Sequence, residues 1–278
     1  MNRRSSPAVF RRVAWAIHRA FSAAVALEKH RGAAWRLLAL IAIPIAALSS
    51  DTSMTGSAHP NAEFQFVRLS YTGATLFGGR ERWLTDWPEA EQFLIRGVKR
   101  LTRIDIADEG HSLSILDDRL FDYPWVYAVE VGYWVLSDQE IERLREYLLR
   151  GGFLVVDDFH GSLEWATFVQ GMHRIFPDRA IVDIPPDEAI FHVAYDLDDL
   201  IQIPGIQSLY SGRNYERDGF TAHWRGIYDD NGRLMVMINF NVDLGDAWEH
   251  ADVPEYSLLY TTRAYKHAIN YILYAMTH

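Results

Sequence analysis

Two aspartates and a histidine close the most strand-like run of the chain, Gly151-Gly152-Phe153-Leu154-Val155-Val156-Asp157-Asp158-Phe159-His160-Gly161. Carboxylates and an imidazole this closely spaced suit a divalent cation or an acid/base pair. The structural alternative has Asp157 accepting backbone hydrogen bonds and Asp158 capping the next helix or turn. A second oxygen-rich run, Asn239-Phe240-Asn241-Val242-Asp243-Leu244-Gly245-Asp246, has the donor density of a calcium loop. It lacks the EF-hand spacing to a closing glutamate, and Asp and Asn shaping a tight loop around Gly245 is the alternative. Glu249 and His250 add donors nearby. His192, in Ile190-Phe191-His192-Val193, is either a further site member or a hydrogen-bonded structural residue. Tyr71, Tyr133 and Trp248 offer ligand-lining aromatic surface unless the core absorbs them.

Several chemistries are excluded. The chain has no cysteine, so disulfides, thiolate metal sites and thioester intermediates are out. Ser162 lies outside any Gly-x-Ser-x-Gly elbow, and Gly78-Gly79-Arg80 fits no Walker or Rossmann spacing.

The elements that must position these residues read as an alternation of strand and helix. Glu63 to Leu69 alternates with period two, and Pro88 to Leu101 is a helix for which Asp86 serves as N-cap. Arg103 to Ile106 is a short strand, and Trp125-Val126-Tyr127-Ala128-Val129 is a strand buried on both faces. Ser137-Asp138-Gln139-Glu140 is a capping box opening a helix to Arg150, ended by Gly151. After the Gly151 strand come a helix over Leu163–Phe176 and a short strand over Ala180–Ile184. Thr221–Tyr228 and Arg233–Phe240 form a hairpin, where Asn231-Gly232 suits a type I′ turn. Thr261 to Met276 is a closing helix. The pattern predicts an α/β fold, a three-layer doubly wound, mostly parallel sheet with a late antiparallel hairpin. In such sheets, ligands sit outside the carboxyl ends of the strands, where Asp157 and Asp158 fall.

Residues 1–50 differ in character. They carry eight basic residues and one acid, ahead of and flanking an uncharged apolar run, Leu37–Leu48. A basic arm, a short apolar run and small residues read as an export signal, cleaved near residues 49–58, or as an N-terminal membrane anchor. Residues 51–62 are a polar linker, and 63–278 form a single α/β domain. Without residues 1–50 the chain has 19 basic and 36 acidic residues, a net charge of −17. Such a surface repels phosphate backbones, so nucleic acid is not an expected partner.

The run Phe66-Val67-Arg68-Leu69-x-Tyr71, then Tyr123-Pro124, then Leu148-x-x-Gly151-Gly152-Phe153-Leu154-x-x-Asp157-Asp158 resembles the bacterial family called domain of unknown function 4159. The likeness continues through Arg174-Ile175-Phe176-Pro177, Ile190-Phe191-His192 and Asn241-x-Asp243-Leu244-Gly245-Asp246-Ala247-Trp248. It ends at Asn270-x-x-x-Tyr274-Ala275. The resemblance implies a fold similar to class I glutamine amidotransferases and implies no established activity. Those enzymes place a nucleophilic cysteine on a sharp turn after a central strand; the Gly151 strand, with its turn Asp157-Asp158-Phe159-His160-Gly161, is a candidate for the corresponding stretch, and the absence of any cysteine excludes a glutaminase.

The chain carries two functional expectations. One is an exported, non-catalytic module of the bacterial cell envelope that binds a small ligand or an envelope protein, touching the membrane only through the N-terminal segment. The other is a metal-assisted hydrolase using Asp157, Asp158 and His160 with Asp243 and Asp246 opposite, its cofactor a divalent metal.

Overall fold

A computed structural model describes residues 62–76 and 78–278, which lie within one compact unit. The export signal or anchor (1–50) and residues 51–61 of the linker lie outside the described residues. Seven strands form one sheet: β1 (Val67–Ser70), β2 (His111–Ser114), β3 (Trp125–Val129), β4 (Phe153–Asp157), β5 (Val182–Asp183), β6 (His223–Tyr228) and β7 (Leu234–Phe240). Their order is β2-β1-β3-β4-β7-β6-β5. The first five in that order run parallel, while β6 and β5 add antiparallel at the edge.

Strands β3, β4 and β7 are buried along their whole length, because helices cover both faces. On one face α1 (Glu89–Leu101) and α6 (Leu258–Thr277) pack against Trp125, Tyr127, Phe153 and Val155. On the other, α2 (Asp138–Leu149) and α3 (Gly161–Ile175) pack against Val126, Ala128, Leu154 and Val156. The period-two alternation of each strand thus feeds two separate cores, giving the three-layer doubly wound architecture. Two short helices, α4 (Ser208–Ser211) and α5 (Leu244–Glu249), lie beyond the strand ends.

Arg68 is fully buried on β1, where its Nε donates to Glu91 of α1 and Nη1 to the Thr85 carbonyl at 3.0 Å. Its guanidinium lies 5.0 Å from the Tyr127 ring centroid. Such a pair is tolerated in a core because every charge has a partner; losing one would strand the other.

Four local expectations are corrected. The Arg103–Ile106 strand is absent: Ile106 makes a single bridge to Phe64, and the edge strand is His111–Ser114. Only Leu113 of β2 is buried, so its sequence has no apolar run to betray it. Asp86 does not cap α1 with its side chain; it has φ of 61° and its backbone carbonyl accepts from Ala90. The hairpin turn is not type I′, because only Gly232 has positive φ there. The Asp229 carboxylate accepts the N–H groups of Asn231 and Arg233, and the Gly232 N–H bonds the Asp229 carbonyl. That network favours an ordinary turn over Asp230-Asn231 with the left-handed residue at Gly232. Finally, α3 starts at Gly161, two residues early, since its first N–H groups find distant acceptors in Asn241 and Asp218.

Candidate functional site

Because β3, β4 and β7 run parallel, their carboxyl ends meet on one edge, and the backbone stays tied beyond them. Glu130 N–H bonds the Asp158 carbonyl, Asp158 N–H the Val242 carbonyl, and Asn241 N–H the Phe159 carbonyl, each at 3.1 Å. All five described non-glycine residues with positive φ lie around this edge or in the loop above it: Asp86, Glu130, Asp158, Arg217 and Asn241. Each costs on the order of 1–3 kcal/mol, and such strain gathers where a site demands a particular backbone path.

Asp157 points to the Tyr127 face of the sheet, fully buried. Its Oδ2 accepts the Tyr127 hydroxyl at 2.7 Å and the N–H groups of Leu244 and Gly245 at 2.8 and 3.1 Å. It therefore fastens the start of α5 onto β4, as the structural alternative had it. Burial pushes its carboxyl up to about 7, against the pull of those three donors.

Asp158 leaves the strand with φ of 50°. It caps nothing: the N-cap of α3 is His160, without a side-chain capping bond. One oxygen or nitrogen each from Asp158, His160, Glu216 and Asp243 lies within 4.8 Å of the others. Within this group His160 Nε2 stands 3.2 Å from Asp158 and 3.7 Å from Glu216. Asp243 also joins a second group with Asp86 and Asp246, and Asp246 a third with Glu249 and His250. Asp243 is the N-cap of α5, its Oδ1 accepting the Asp246 N–H at 2.8 Å.

The cluster holds more negative charge than its surroundings neutralise. Burial first, then Asp243 and Glu130, raises the Asp158 carboxyl well above its usual range. Burial, then Asp246 and Asp86, does the same to Asp243, and burial with Asp246 to Asp86. The nearby arginines already have partners: Arg217 bonds Glu164, and Arg82 bonds Glu130 at 3.0 Å. His160 supplies no compensating charge, since burial, aided by Arg217, lowers it to about 3.

The donor set fits a divalent cation. Neutral imidazole and carboxylates are the ligating forms, and mixed N/O sets suit transition metals such as Mn²⁺ or Zn²⁺. Asp86 Oδ2 is buried with no hydrogen-bond partner. Gly205 leaves a cradle: a Cβ there would sit 2.5 Å from Asp243 Oδ2 and 2.6 Å from Asp246 Oδ2. His160 and Asp243 are nearly inaccessible, while the Glu216 side chain is 30% exposed, so the group opens to solvent on the Glu216 side.

The remaining expected residues divide differently. His192 lies apart from the cluster, its Nδ1 2.9 Å from Asp196 and Nε2 2.8 Å from the Pro186 carbonyl. Trp248 is core, packed against Tyr127. Tyr71 is buried and donates to the Val129 and Glu130 carbonyls, bracing the edge instead of lining it. Tyr133 alone stays at the rim, with Arg82 over its ring at 3.4 Å and Arg217 donating to its hydroxyl. Asp86 and Glu216 were not anticipated. Asp86 carried a helix-cap signal, and Glu216 sits in a charged loop, Arg213-Asn214-Tyr215-Glu216-Arg217-Asp218, with nothing to distinguish it.

These shifts set a pH dependence. Carboxyls whose folded proton affinity is raised stabilise the metal-free fold while protonated, and that stability is lost as pH rises through their folded values, near 7 for Asp157. Replacing Asp243 by Asn keeps the α5 cap and removes a buried charge. Asp243→Asn is therefore expected to stabilise metal-free protein by about 1–3 kcal/mol at pH 8 and by less at pH 5. Urea titrations check this; equal destabilisation at both pH values contradicts the charge-excess account.

A family model described as "Domain of unknown function (DUF4159)" matches residues 65–276. No curated protein matches the chain.

Proposed function

The chain belongs to the DUF4159 family, and from the chemistry of its site we propose that it is a divalent-metal-dependent hydrolase. The observation that carries this reading is the sharing of Asp243 between two ligand groups, Asp158/His160/Glu216 on one side and Asp86/Asp246 on the other. A bound metal at this edge would supply a Lewis acid and an activated water. Asp158, His160, Glu216 and Asp243 would hold it, and Asp157 orients the segment that carries Asp243. Tyr133 stands at the rim, held there by Arg82 and Arg217, placed to meet a polar substrate group.

We also propose that the scaffold is related to class I glutamine amidotransferases. Support comes from the five parallel strands and from the left-handed Asp158 directly after a central strand, where those enzymes carry their cysteine. Without cysteine, that turn serves ligation instead of nucleophilic attack.

A second reading keeps the same metal centre in a non-catalytic module that binds a small ligand or an envelope protein. The deep burial of His160 and Asp243 favours it, since a closed centre serves structure well. One experiment separates the two. Metal-stripped protein, reloaded with Mn²⁺ or Zn²⁺, is assayed on p-nitrophenyl esters and bis-p-nitrophenyl phosphate. The hydrolase reading expects activity that appears with metal and falls at least about 10-fold in Glu216→Gln, a substitution at the open side. Tight metal binding with no turnover in any assay selects the binding module.

For location, we propose that the domain acts outside the cytoplasmic membrane, released after cleavage or tethered by its N-terminal segment. The support is the contrast between eight basic residues in 1–50 and the −17 remainder, which the positive-inside tendency sends across. Fusing residues 1–62 to alkaline phosphatase is expected to give active enzyme. An inactive fusion, with the same segment yielding fluorescent cytoplasmic GFP, places the protein inside.

A further inference from the structure

Away from the acidic edge, α1 and α6 leave a groove of about 560 Å³ between them, within the roughly 300–1,000 Å³ typical of small-molecule sites. Its floor depends on Gly97. A Cβ there would collide with the Tyr265 ring, so only glycine lets that ring lie against α1, where its hydroxyl donates to the Phe93 carbonyl at 3.0 Å. Phe93, Leu101 and Ile269 complete an apolar wall, and Leu101 and Leu258 stay 54% and 76% exposed at its margin.

The rim is basic in a strongly acidic domain. Arg96, Arg100 and Lys266 border the groove against the single acid Asp252. Elsewhere on the same two helices, Lys99 is paired with Asp108 and Arg263 with Asp199. Arg96 instead donates to the Gln92 carbonyl of its own helix and lies over the Phe93 ring at 4.2 Å. Lys266 reaches only the Tyr195 ring, at 5.5 Å. Among the described residues none of these three cations has a carboxylate within ion-pair distance. An occupant that complements this groove joins apolar surface to an anionic group. The chain's own apolar run at 37–48 is a poor match, since the arm before it carries the same positive sign as the rim.

We propose that the groove binds a single-chain anionic amphiphile of the fatty-acid class, its alkyl chain along Phe93, Tyr265 and Ile269 and its carboxylate at Arg96 and Arg100. This is independent of the metal centre. Burying the chain supplies the affinity, and the arginines select the charged head.

The test titrates the full-length protein with the fluorescent fatty acid cis-parinaric acid, then competes it with palmitate and with the uncharged hexadecanol. Saturable binding at one probe per chain is expected, displaced by palmitate at least tenfold better than by hexadecanol. Arg96→Glu with Arg100→Glu weakens it at least tenfold. Thr262→Trp, at an exposed lining position, also weakens it by filling the groove. Unchanged circular dichroism establishes that both variants are folded. No saturable binding, or equal affinity in the charge-reversed variant, overturns the proposal. So does sedimentation with phosphatidylglycerol vesicles without a response to the free acid, which would make the groove a membrane contact.

Discussion

The acidic cluster depends on one buried carboxylate that is not itself among its members. Asp157 ends β4 and accepts three hydrogen bonds, from Tyr127 on the neighbouring strand and from the first two N–H groups of α5. Those bonds pull the segment after β7 across the top of β4, and this places Asp243 beside Asp158. An anionic acceptor at the start of a short helix satisfies donors that would otherwise be orphaned in the core. The rest of the edge is assembled on that joint: Asp243 caps α5, Asp246 accepts the Ile206 N–H at 2.6 Å, and the 204–206 segment is thereby drawn over the cluster. Gly205 is small enough to let both carboxylates approach it.

The price of this arrangement is electrostatic. Arg68 and Glu91 show how the same fold treats a buried charge when it is structural, by supplying the opposite charge and backbone acceptors at short range. At the acidic edge the cations go elsewhere, Arg82 to Glu130 and Arg217 to Glu164, while Asp86, Asp158 and Asp243 crowd one another. Left-handed backbone at five nearby non-glycine residues adds conformational strain. A fold that concentrates both kinds of cost in one place, while pairing Arg68 with Glu91 elsewhere in its core, has the character of a site completed by a cation.

The central elements were legible because their signals are local. Trp125–Val129 and Phe153–Val156 are uninterrupted apolar runs, and the Ser137/Glu140 capping box is present in full. Edge strands were less legible: β2 buries one side chain and β5 has two residues, so neither shows a period. Within the cluster, the closeness of Asp158, His160 and Asp243 was legible from their position after strand ends. Asp86 and Glu216 were not, because each arrives through non-local backbone. Glu216 is delivered by a loop anchored where Gln202 donates to the Gly219 and Asn241 carbonyls and Asn241 to the Thr221 carbonyl. Trp248, Tyr71 and His192 illustrate the converse. Residue types able to line a site were used for packing, bracing and a surface hydrogen-bond pair.

The central claim is the metal centre itself, and anomalous X-ray diffraction tests it most directly. Crystals of the full-length protein grown with Mn²⁺ should give an anomalous peak bonded to at least three of Asp158, His160, Glu216 and Asp243. A peak confined to the surface carboxylates, or no peak at saturating Mn²⁺ and Zn²⁺ alike, would contradict the account.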